Sequence, residues 1–479
     1  MKKQILILSV VACQVLLNLK ARAEETVSTL DDQQEVAVTI YNEDLALVRD
    51  LRQVTLPKGH VSLALREVSA KIRPETALLR SLNAGNRLTI LEQNFDFDLL
   101  TPGKLLEKYV GREVQLVRTH PETGEDRFET ARVLASSNGV VLQVGDRIET
   151  GVPGRLVFPS VPENLRDRPT LVIDLENRGA GHQELELSYL TGGLSWRADY
   201  VAELSPDDSS IDLSGWVTLT NQSGTTYPDA LLQLVAGDVN RVRDQMRMRR
   251  DVMLEKSMVQ AAAPQMQEES LLEYHLYTLQ RPTTIRDNQT KQVSLLNAAE
   301  VPVAKEFRLQ GSPQYYRSQY GDLGQKLKVG VFVEFENRKQ ARLGMPLPKG
   351  VVRVYKQDSD GRPQFVGEDR IDHTPENESV RLKLGDAFDV TASRKQTDFR
   401  KLGGDSRYNY RFESAYEIVL KNAKQEAVTV TVAEPVPGDW RILQESHPHE
   451  KAAADTALWK IEVPAKGMTV LDYRVEVKY

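Results

Sequence analysis

The chain has 479 residues, 27% of them charged and 40% hydrophobic, a formal net charge of −6 and a single cysteine, Cys13. That length is enough for two to four domains with cores of their own. One cysteine excludes a disulfide framework, and an acidic balance argues against nucleic acid as the main partner, because phosphate binding requires the opposite sign.

The first residues set a positive start (Lys2, Lys3) before an apolar run from Ile5 to Leu17 and a small-residue exit at Ala21-Arg22-Ala23. That order predicts a signal peptide over 1–23, and an exported protein that is periplasmic or extracellular. The run is too short for a membrane span, and no later run of about 18 apolar residues exists. Val10-Val11-Ala12-Cys13 offers an alternative, lipoprotein anchoring at Cys13, although "QVLLNL" stays apolar where such a chain turns polar. Loss of the leader removes four basic residues and leaves the mature chain cysteine-free and more acidic.

Beyond it, alternation with a period of two dominates. Leu327, Val329, Val331, Val333 and Phe335 form one clear case; Val428, Val430 and Val432 form another; the closing 470–479 reads the same way. Turn-forming clusters such as "DSDGRP" and "PAKGM" separate these runs. The expected class is all-β. In chain order, 35–103 is a strand-rich N-terminal region. Residues 104–160 pair a short helix with several strands, as a small SH3-like barrel-type unit does. Residues 168–340 and 341–479 read as immunoglobulin-like β-sandwich regions. Residues 241–274 interrupt the first of these with five of the eight methionines and five arginines in the opening ten positions. That insertion is expected to be partly helical or disordered.

Four strand-like runs end at asparagine: Asn177, Asn221, Asn337 and Asn422. Asparagine closes a strand because its amide bonds to nearby backbone and it tolerates left-handed dihedrals. The residue after each asparagine differs (Arg, Gln, Arg, Ala), so the repetition is scaffold rather than a repeated site.

Three constellations could carry chemistry. Asp386 and Asp389, with Arg394 close behind, lie in "LGDAFDVTASR"; two carboxylates can serve a glycosidic bond, and together with Arg394 they could also bind a ligand. His447 and His449, two apart in "ESHPHEK", would point the same way in extended chain and are the metal candidates. The methionine cluster could offer thioethers to a soft metal, but its arginines oppose a cation. Against each stands a plainer reading: a turn with solvated charges, a polar loop, a flexible segment. Gly-x-Ser-x-Gly, His-Glu-x-x-His and a phosphate loop are missing.

The stretch "YLTGGLSWRADYVAEL" (189–204), then "GWVTLTNQSGTTYPDALLQLVAGDV", "LGDAFDVTASR" and "IEVPAKGMTVLDYRVEV", resembles the uncharacterised C-terminal domain of mucoidy-inhibitor-A-like bacterial exported proteins. The resemblance covers about the last two-thirds of the chain. It implies an exported, β-rich bacterial protein with a link to the cell envelope, and no particular reaction. The expectation is a non-enzymatic factor that binds an envelope protein or glycan, without cofactor. The alternatives are a carboxylate-dependent enzyme on envelope glycans and a metal-handling protein.

Overall fold

The computed structural model describes residues 25–479 apart from 84–86, 97, 163–164, 180, 238–265 and 404–406. The expected leader, Cys13 and most of the 241–274 insertion lie outside the described residues. The last part of that insertion is strand: Met266–Leu271 pairs antiparallel with Tyr274–Leu279. Among the described residues the regular structure is almost entirely β, and the one α-helix is Pro102–Lys108. Two compact units arise, one from 25–36, 47–191 and 223–225, the other from 37–46, 192–222 and 226–479.

In the first unit, Glu25–Ser28, Gly59–Arg66, Thr170–Asn177 and Leu88–Asp96 lie side by side in that order. Leu63, Leu65, Leu171, Ile173 and Leu175 are buried at alternate positions along the two central strands. The Pro102–Lys108 helix begins where the Thr101 hydroxyl accepts from the Lys104 amide, a side-chain cap for an otherwise unpaired donor. Five strands between residues 113 and 157 come after it, closing over Tyr109, Leu116, Ala131, Val133 and Leu142.

The second unit contains a five-stranded sheet ordered Gln289–Pro302, Ser210–Asn221, Leu194–Leu204, Gly350–Gln357, Pro363–Ile371. Leu194–Leu204 runs parallel to Gly350–Gln357, pairing Ala198 with Gly350. The unit also holds a nine-stranded sheet, in which the long strands Asp322–Asn337 and Glu378–Leu402 are neighbours. Phe307–Gln310 lies parallel to Val430–Ala433 within it. Buried side chains from Arg411–Asn422 and Met468–Lys478 on one arm meet those of Val428–Pro435 and Thr456–Val463 on the other, around Trp459 and Tyr416.

The four asparagines end strands, as the sequence indicates, by a mechanism the sequence does not display. None has a left-handed backbone, and all four are buried. Asn422 donates to the carbonyls of Glu426 (2.8 Å), Val463 (3.3 Å) and Pro464 (3.1 Å), while its Oδ1 accepts from the Lys424 amide. Asn337 donates to Met345, Thr374 and Pro375; Asn177 to Leu56 and Pro57; Asn221 to Ile285. The left-handed residue sits in the turn opposite: Gly59, Asn288, Asn377 and Lys466, each at or just before the start of the antiparallel partner strand. Each asparagine therefore clamps the turn that launches its neighbour by donating to carbonyls of that turn.

Candidate functional site

The Asp322–Asn337 and Glu378–Leu402 strands carry the most irregular ladder in the second unit. Gly330 pairs with Asp386 and Lys328 with Thr391, so Ala387 to Val390 stand against Val329 alone. Bulges of this kind re-aim side chains. Val329 and Val390 remain in the core and Ala387 packs against it, but Phe388 is turned out and is 96% exposed. On the far side of the bulge the Asp389 carbonyl accepts from the Ala423 amide.

Asp386 lines a cleft of about 220 Å³. Its apolar lining comes from Leu204, Val331, Val333, Val366 and Leu384. Its polar wall is made of ion pairs. The Asp208 carboxylate lies between Lys305 (2.7 Å) and Lys356, placed there by a turn in which Asp208 takes a left-handed φ of 61°. Burial works to raise the Asp208 carboxyl, but the two ammonium groups outweigh it and hold it below its ordinary value. Asp386 is paired with Lys328 at 3.3 Å and Lys383 at 3.5 Å. Gly367 closes one flank, because a Cβ there would stand 2.2 Å from the Leu384 carbonyl oxygen.

The structure distributes the residues singled out by sequence. Asp386 lines the cleft, whereas Asp389 is exposed and is not among its lining. Arg394 is remote from solvent: its side chain pairs with Glu434, and its guanidinium lies 5.1 Å from the centre of the Tyr315 ring. The strand continues past the bulge with Arg394 pointing into the core, so proximity in sequence to Asp386 does not become a shared site. His447 Nδ1 is 2.9 Å from Ser446 Oγ. His449 bonds to Glu445 at 2.9 Å and sits between the Trp440 and Trp459 rings at 5.9 and 5.8 Å. The two histidines thus engage different partners. Among the described residues no group of three or more His, Cys, Asp or Glu side chains is placed to hold a metal ion. Four of the five clustered methionines lie outside the described residues; Met266 is buried.

Sequence reasoning missed the lysines of the cleft and the exposure of Phe388. Asp208 carried a signal, since "SPDDSS" is a turn, but nothing in the sequence ties that turn to Lys305 or Lys356.

A family model described as a domain of unknown function, DUF4139, matches residues 185–479. No curated protein matches the chain.

Proposed function

The chain belongs to the DUF4139 family, and from that premise we propose that it is an exported, non-enzymatic binding or assembly factor of the bacterial cell envelope. Its docking surface is the cleft lined by Leu204, Val333 and Leu384 together with the bulge that carries Phe388. The architecture proposed for it is immunoglobulin-like sandwich packing of the sheets beyond residue 168 and an SH3-like unit over 104–160, behind a signal peptide at 1–23.

One observation carries this reading: a phenylalanine 96% exposed on a pronounced irregularity of a long strand, beside an apolar cleft. Large apolar side chains at such exposure mark contact sites when they border a concave apolar surface. The charged groups around the cleft support binding over acid/base work, because each carboxylate there is already engaged by two ammonium groups.

Replacing Phe388 with a photo-crosslinking phenylalanine analogue in exporting cells tests it. A discrete adduct is expected from position 388 and not from Leu272, which is 87% exposed elsewhere. Equal background from both positions would end the docking reading. Asp386→Asn with Asp389→Asn is the companion variant: a glycan-cleaving enzyme would lose its activity, whereas the adduct from position 388 should persist.

A further inference from the structure

We infer that the occupant of this surface is a second copy of the chain, each copy seating its Phe388 in the other's cleft. The inference rests on the docking reading above and adds the identity of the partner. Three observations lead to it. The first is size. A cavity of about 150 Å³ lined by aliphatic side chains accepts a benzene ring, and the cleft here is about 220 Å³ with two leucines and three valines in its lining. It fits one phenyl group and falls short of the roughly 300 Å³ at which pockets for larger small molecules begin.

The second is placement. The knob and the hole belong to one stretch of chain, since Leu384, Gly385 and Asp386 line the cleft and Phe388 comes two residues later. Phe388 is exposed and so does not fill the cleft of its own chain. A two-fold interface requires one patch to carry both complementary features, so that residue i meets j and j meets i. Phe388 and the cleft meet that requirement.

The third is charge. The patch carries both signs: Lys328 and Lys383 on Asp386, and Lys305 and Lys356 on Asp208. Each carboxylate is paired within its own copy, so both signs are spread over the patch and a second copy meets no field of a single sign. Phe365 and Val366, 50% and 37% exposed on the neighbouring strand, extend the apolar area that such a contact would cover.

The test is sedimentation of the exported, purified chain over a wide concentration range, with two variants. Phe388→Ala removes the knob, and Val366→Trp fills the hole at a surface position. Wild type should dimerise reversibly, and each variant alone should weaken association by about 30-fold or more, as loss of an aromatic anchor does. Thermal melting at concentrations low enough for wild type to be monomeric should give the same midpoint for the variants, which separates a lost contact from a lost fold. Mixing the two should restore a heterodimer of intermediate affinity, because one Phe388 and one open cleft remain to meet. A dimer that survives Phe388→Ala, or variants that stay monomeric when mixed, would overturn the reciprocal exchange. A wild-type monomer that still gives the adduct from position 388 would overturn the second copy and keep the docking reading. A monomer without that adduct would remove both.

Discussion

Arg394 and Glu434 form an ion pair whose side chains are 1% and 0% exposed. Tyr316 donates to the same carboxylate at 2.7 Å and lies 2.9 Å from the Tyr473 hydroxyl. Burial raises the Glu434 carboxyl, and Arg394 and the tyrosine hydroxyls act against that rise. The network is buried and ties the Glu378–Leu402 strand to Val428–Pro435.

Removing one member should therefore be worse than removing both. Glu434→Gln leaves an uncompensated buried guanidinium and should destabilise the second unit by about 3–5 kcal/mol. Arg394→Met combined with Glu434→Leu should recover much of that loss. Urea unfolding of the three proteins checks the order; a double variant less stable than Glu434→Gln would contradict it.

The asparagine clamps make a second prediction. Asn422→Ala removes the side-chain donor to the carbonyls of Glu426, Val463 and Pro464, of which Pro464 keeps the Gly467 amide, at a cost of about 1–3 kcal/mol for buried groups left unpaired. Asn422→Asp should be at least as damaging, because a carboxylate has no N–H to donate. Denaturant midpoints of both variants decide it, and an unchanged midpoint for Asn422→Asp would show the clamp to be dispensable.

Asp208 predicts how acid acts on the cleft. Its folded carboxyl titrates below the ordinary value of 3.8. The stabilisation it adds is thus complete above that value and is lost as pH falls through the lower, folded one. Asp208→Asn should be less stable than wild type near neutrality, and the gap should shrink as the pH falls below the ordinary carboxylate value. Melting temperatures along that pH series test the sign, and a gap that widens in acid would refute it.

Gly367→Ala tests the flank of the cleft. Its Cβ would meet the Leu384 carbonyl oxygen at 2.2 Å, and the neighbour is backbone with little freedom to yield. Overpacking of this kind costs about 1–3 kcal/mol. Because Leu384 lines the cleft, crosslinking from position 388 should weaken along with stability; a drop in stability with full crosslinking would separate the flank from the docking surface.

Much of the framework was legible because alternation is a local property. Val329, Val333 and Phe335 read as inward-facing and are buried. Phe388 shows where the same logic stops. It shares parity with Val380, Leu382, Val390 and Ala392, which are all buried, so a period-two reading sends it to the core. The register shift between Lys328 and Gly330 breaks the rule, and that shift depends on a partner strand about sixty residues away. Arg394 failed in the opposite direction. Its charge suggested a surface ligand, but Glu434, reached only through the fold, lets it be buried. The asparagines were recognisable as recurrent, whereas the turns they clamp are distant in sequence and could not be matched to them by spacing.

The parallel pairing of Ala198 with Gly350 and of Phe307 with Val430 bears on how the molecule is made. Each of these strands waits for a neighbour that emerges from the ribosome much later, so closing the sheets carries the high contact order that makes folding slow. A chain stopped before residue 350 would display Leu194–Leu204 as an open edge, the kind of surface from which aggregation starts. Both sheets stay incomplete until the strands beyond residue 350 are present, and those carboxyl-terminal strands decide whether the earlier ones ever acquire a settled place.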